Sequence, residues 1–177
     1  MKKLLFFIPV LMLIFCNCSQ FDKLTQFNMV YNDTLSLPSS SGINLPVDTQ
    51  IPDVETNSES TFSVNNTHKD LIEEILLKEM TLTVTTPSNG NFTFLKSIAI
   101  YMSADGLDEV KVAWQDSIPA DCGNTLTLKT SDADLKAYIQ KDKFKYRMNT
   151  VVQKVISSDY QIAMHSVFFV DAKILGQ

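Results

Sequence analysis

A chain of 177 residues with 45% hydrophobic and 20% charged side chains has enough apolar material for one folded domain. Its 15 basic residues are outnumbered by 20 acidic ones, a net charge of −5, and that sign argues against nucleic acid and anionic lipid head groups as partners. Only five glycines occur, leaving little scope for a phosphate-cradling loop, and no G-x-S-x-G nucleophile setting is present.

Lys2 and Lys3 form a cationic head, followed by an uncharged run from Leu4 to Phe15. As a helix, twelve residues cover about 18 Å, well short of a hydrocarbon core of about 30 Å. With Pro9 inside it, the run reads as the apolar centre of a signal peptide rather than a spanning anchor. It ends at Phe15-Cys16-Asn17-Cys18-Ser19. This resembles the lipobox of bacterial lipoprotein signals, where an apolar run ends at a cysteine that is acylated and becomes the new N-terminus. The resemblance implies acylation of Cys18, preceded by the smaller Asn17, with Cys16, preceded by bulky Phe15, as the alternative. Two or three acyl chains hold a protein firmly to a bilayer, at about 0.8 kcal/mol per buried methylene. Ser19 after the cysteine implies outer-membrane sorting. With only Asp22 as a nearby acid, the periplasmic face is favoured over the cell surface. Removing Lys2 and Lys3 from the 15 basic residues leaves 13 against 20 acidic ones, a net charge of −7. Residues 1–17 thus read as leader, 18–26 as lipidated tether and 27–177 as a single domain.

The domain's dominant signal is alternation. Phe27, Met29, Tyr31, Leu35 and Leu37 share one face, opposite Asn28, Asn32, Thr34 and Ser36, as in a half-buried strand. A loop is expected over 38–46, then two short edge strands near 50–55 and 60–65. Thr67-His68-Lys69-Asp70 has capping-box character and predicts a helix over 68–75. Met80, Leu82 and Val84 alternate with threonines in the next strand. Pro87-Ser88-Asn89-Gly90 predicts a turn, and 97–103 a strand with Ile98, Ile100 and Met102 inward. Ala104-Asp105-Gly106 marks a hairpin, after which Val110, Val112 and Trp114 are expected in the core. Leu126 and Leu128 point inward from a strand over 125–129. Ser131-Asp132-Ala133-Asp134 opens a second helix. Phe144, Tyr146 and Met148 alternate with Lys143, Lys145 and Arg147. In the last strand, Ile162, Met164, Phe168, Val170 and Ile174 face inward.

Short alternating strands with only two brief helices predict an all-β fold, an antiparallel immunoglobulin-like β-sandwich of about seven or eight strands. The organisation resembles the immunoglobulin-like sandwiches of small Gram-negative envelope lipoproteins and the LEA type 2 sandwich. That resemblance implies a lipid-anchored envelope protein whose role is binding or structural, with other envelope proteins or glycans as partners. The alternatives are a hydrolase with spatially assembled carboxylates, or a subunit of a surface polymer.

No catalytic residue, cofactor or metal is assigned. His68 and His165 share no ligand at metal spacing. Asp105, Asp108 and Glu109 around the hairpin do not match an EF-hand loop. Cys122, the remaining thiol beyond the leader, reads as structural. The stripe Lys141, Lys143, Lys145 and Arg147, at period two, is the candidate partner-binding surface, against the reading of a solvated face that guards an edge. Asp33-Thr34-Leu35 and Asp116-Ser117-Ile118 resemble the D-[S/T]-aliphatic motif of protein O-glycosylation in one Gram-negative phylum, which implies modification at Thr34 and Ser117.

Overall fold

The computed structural model describes residues 25–39 and 42–173. Cys16, Cys18 and Ile174 lie outside these residues. In β10 (Tyr160–Ala172) the inward set is Ile162, Met164, Ser166, Phe168, Val170 and Ala172, at strict period two. This strand is flanked on one side by β1 (Gln26–Leu37) and on the other by β4 (Ile72–Thr86). With β7 (Thr125–Thr127) they make a four-stranded sheet in the order β1-β10-β4-β7.

The second sheet is built on β9 (Lys143–Val152), inward at every second residue, and β5 (Leu95–Ala104), which does the same from Ile98 to Met102 after a bulge at its start. Beside β5 lie β6 (Leu107–Gln115) and then β8 (Lys129–Thr130). Beside β9 lie β2 (Pro46–Gln50) and β3 (Val54–Glu55), which gives six strands. Every pairing between these strands is antiparallel. The expected all-β fold is therefore present, as two antiparallel sheets closed face to face over one core, with ten strands among the described residues.

The core holds Tyr31, Phe144 and Phe168 edge to face, Tyr31 lying 5.4 Å from Phe144 and 5.5 Å from Phe168. Full burial contributes about 1.5–3 kcal/mol for each large apolar side chain, so the two inner faces carry most of the stability. Among the described residues no helix is long and apolar enough to cross a membrane.

Four local expectations are corrected. The helix over 68–75 is a single 3-10 turn, Lys69–Leu71, running straight into β4. The reason lies in the register. β4 has one extra residue, Glu73, opposite Asp171/Ala172, and another, Lys78, opposite Val167/Phe168. Each bulge places buried residues three apart, Ile72 with Ile75 and Leu77 with Met80, and that spacing imitates a helix. Conversely, the strand expected over 60–65 is helix α1 (Ser58–Val64). It buries Ser58 and one large side chain, Phe62, which meets Phe27 at 6.2 Å, while Val64 stays 78% exposed. The described residues of the expected loop over 38–46 hold no strand until β2 begins at Pro46, whereas the strand expected over 125–129 is split, β7 joining one sheet and β8 the other with Leu128 between them. The second helix, α2 (Lys136–Ile139), is short, and Asp134, just ahead of it, accepts from the Lys136 N–H at 2.9 Å.

The fourth correction concerns Trp114. Its phase with Val112 predicts a core position. Instead Tyr101 pairs with Lys111 and Ile100 with Ala113, so Val112 is an extra residue in β6. Val112 and Ala113 are both fully buried, and the phase then turns Trp114 outward.

Candidate functional site: the open face of the six-stranded sheet

Directly opposed residues in a sheet point to the same side. Register therefore defines two rows on the outer face of this sheet. The first runs Lys129, Trp114, Ala99, Asn149, Asp48. The second runs Lys111, Tyr101, Arg147, Gln50.

Arg147 organises the second row. Its Nε donates to Glu109 Oε2 at 2.9 Å and its Nη2 to Glu109 Oε1 at 2.5 Å, while Nη1 donates to Asp48. Its guanidinium lies 4.2 Å over the Tyr101 ring. Asn149 Nδ2 donates to the same Asp48 oxygen at 2.9 Å. The fork-to-fork geometry is the strong form of a charge-assisted pair. Its electrostatic marks agree. The Asn149 hydrogen bond, then Arg147, hold the Asp48 carboxyl below its usual range. Arg147 does the same to Glu109, and Glu109 and Asp48 push the guanidinium upward. Lys111, from the second row, sets its Nζ 4.5 Å over the ring of Trp114 in the first.

The predicted basic stripe divides. Lys143, Lys145 and Arg147 do point outward from β9. Lys143 pairs with Glu55 at 2.9 Å, and Lys145 with Asp53 at 3.7 Å. The stripe is thus a compensated ladder rather than a bare cationic surface. Lys141 lies before the strand, and its carbonyl accepts from Thr56 Oγ1 at 2.6 Å. It joins Lys143 and Lys145 with Asp53, Asp105 and Asp142 around a mixed-charge cleft of about 630 Å³ beside the β5–β6 hairpin.

The remaining candidates stay apart. Thr34 is exposed on the outer side of β1, with Asp33 turned inward before it. Ser117 is exposed just after β6, beside Ile118, whose N–H reaches the Lys96 carbonyl at 3.2 Å. His165 Nδ1 meets Asn32 Oδ1 at 2.8 Å, and His68 Nδ1 lies 3.8 Å from Asp70. Among the described residues no three His, Cys, Asp or Glu side chains are grouped as metal ligands. Burial, then the Asp121 charge, push the Cys122 thiol up, away from a reactive thiolate.

Sequence reasoning missed Tyr101, Glu109 and Asp48 as surface partners of Arg147, and Asn149 as a second donor to Asp48. Tyr101 was readable, since it alternates out of phase with Ile100 and Met102. Trp114 was not, because the bulge that turns it leaves no mark in the alternation.

The sequence matches no family model and no curated protein. Among solved structures it is similar to a chain of turnip yellow mosaic virus, with a TM-score of 0.26 and 10% identity over 85% of this chain and 98% of that one. It is likewise similar to a chain of Desmodium yellow mottle tymovirus, with a TM-score of 0.22 and 8% identity over 85% of this chain and 92% of that one. At that level the likeness carries no functional argument, and the site rests on its own geometry.

Proposed function

We propose that the chain is a lipid-anchored protein of the bacterial outer membrane, facing the periplasm, that acts by binding rather than catalysis through the open face of its six-stranded sheet. The observation that supports the binding role is the outward Trp114. Leaving a large aromatic partly in water forgoes part of the 1.5–3 kcal/mol (about) that burial of such a side chain contributes. Bulges that re-aim a side chain are found beside functional surfaces. The carboxylates on the same face, Asp48 and Glu109, are both engaged by Arg147, which suits a preorganised recognition surface better than an acid–base pair. The leader and its Cys16/Cys18 pair support the anchor.

Metabolic labelling with a fatty-acid analogue tests the anchor. Cys18→Ser is expected to abolish labelling and release the protein from the membrane fraction. Label retained in Cys18→Ser and lost in Cys16→Ser moves the anchor to Cys16, and label retained in the double variant ends the idea. Whole-cell crosslinking with mass spectrometry tests the binding role, with adducts expected on the six-stranded face.

A further inference from the structure

We infer that the ligand of this face is a neutral glycan, laid along the row Trp114, Ala99, Asn149 and Asp48; the inference rests on the binding role proposed for the same face. Three observations carry it.

The first is shape. Ala99 separates Trp114 from Asn149 on neighbouring strands. Two strand spacings place those flanking strands about 10 Å apart, with only a methyl group projecting between them. The row is therefore a shallow trough, with an indole at one end and an amide and a carboxylate at the other.

The second is chemistry. A pyranose offers a C–H face that packs on an aromatic ring, and hydroxyls that both donate and accept. An indole supplies the ring and an N–H donor. Asn149 can donate and accept, and the Asp48 carboxylate accepts. Their mutual hydrogen bond at 2.9 Å orients both, so little ordering cost remains for the ligand to bear.

The third is charge. Arg147 is satisfied by Glu109 and Asp48, and the whole chain carries −5. A polyanion meets net repulsion, with Lys111 and Lys129 as the cations beside the ring. Lys111 covers the indole now, and an exposed cation–π contact is weak enough for a ligand to displace. A sugar face stacked on the ring offsets its loss.

Trp114 is the single tryptophan, so its fluorescence reports on this trough alone. The full-length chain in detergent is run through native gels containing glucan, mannan, xylan or galactan, with dextran sulfate and hyaluronan as anionic controls. Soluble oligosaccharides from any retarding polymer are then titrated against tryptophan emission. At least one neutral polymer is expected to retard the protein and its oligosaccharides to shift the emission saturably. Trp114→Ala and Ala99→Lys are each expected to weaken retardation at least tenfold with circular dichroism unchanged. Retardation by the anionic polymers alone, or by none, overturns the inference, as does undiminished binding by both variants. If no polysaccharide binds while a crosslinker at position 99 still captures a protein in cells, the glycan falls and the binding role stands.

Discussion

Asp33 occupies the inner face of β1, between buried Tyr31 and Leu35 and opposite Met164. One of its carboxylate oxygens is buried with no hydrogen-bond partner among the described residues. Desolvation accordingly raises its pKa above the usual aspartate range. A raised carboxyl binds its proton more readily in the folded chain than in the unfolded one. Its contribution therefore improves as pH falls through the window just above the ordinary aspartate value, and becomes a penalty at neutral pH. Asp33→Leu is expected to stabilise the protein by about 1 kcal/mol at pH 7. That gain should shrink as urea melts are repeated toward pH 4; a gain independent of pH would mean that the carboxyl is not what strains the site. Gly90 makes the opposite case. A Cβ there would stand 2.6 Å from Val84 Cγ1 and 2.9 Å from the Pro87 carbonyl oxygen. Gly90→Ala is expected to cost about 1–3 kcal/mol, read as a lower thermal midpoint. An unchanged midpoint would show that the turn has slack.

At the scale of elements, bulges decide what was legible. β9, β10 and β5 from Ile98 onward keep the alternation expected of strands because one face of each is buried, and a shift by one residue would expose the whole buried set. β4 and β6 also bury one face, but their extra residues break the period. In β4 the result imitates a helix, and in β6 it conceals the outward turn of Trp114. In α1 the sequence Thr61-Phe62-Ser63-Val64 alternates like a strand, yet Phe62 is the one large side chain that this helix buries, and Val64 stays in water. The Arg147 ladder on β9 supports a further prediction. Arg147→Met, which keeps the aliphatic stem, is expected to cost about 1 kcal/mol, with the loss smaller in high salt. Its pH dependence has the opposite sign to that of Asp33. Asp48 and Glu109 have depressed pKa values, so their contribution is present above the ordinary carboxylate range and is lost as pH falls through the depressed values. A double-mutant cycle with Glu109→Gln checks this, and zero coupling at low salt would show the pair to be energetically idle.

On the scale of the whole molecule, two sheets close over one core and leave two outer faces of different character. Val30, on the four-stranded sheet, is 50% exposed beside polar neighbours, and Lys78 covers Phe169 at 5.5 Å. The six-stranded sheet carries the Arg147 ladder, Tyr101 and Trp114. The fold class could be read from the sequence because alternation is the direct imprint of a half-buried sheet. The face could be read only in part. Its cations sit at period two on one strand, but Asp48 lies 101 positions from Asn149 and Glu109 38 positions from Arg147. They meet only through the strand order β2-β9-β5-β6-β8, which no periodicity encodes. The claim that this face is the binding surface is tested most directly by photocrosslinkers placed singly in the native protein in living cells. One replaces Ala99, on the six-stranded face, and the other replaces Thr83, on the outer face of β4. Adducts from position 99 with none from position 83 are the expected result. Adducts from position 83 alone, or equal yields from both, would contradict it.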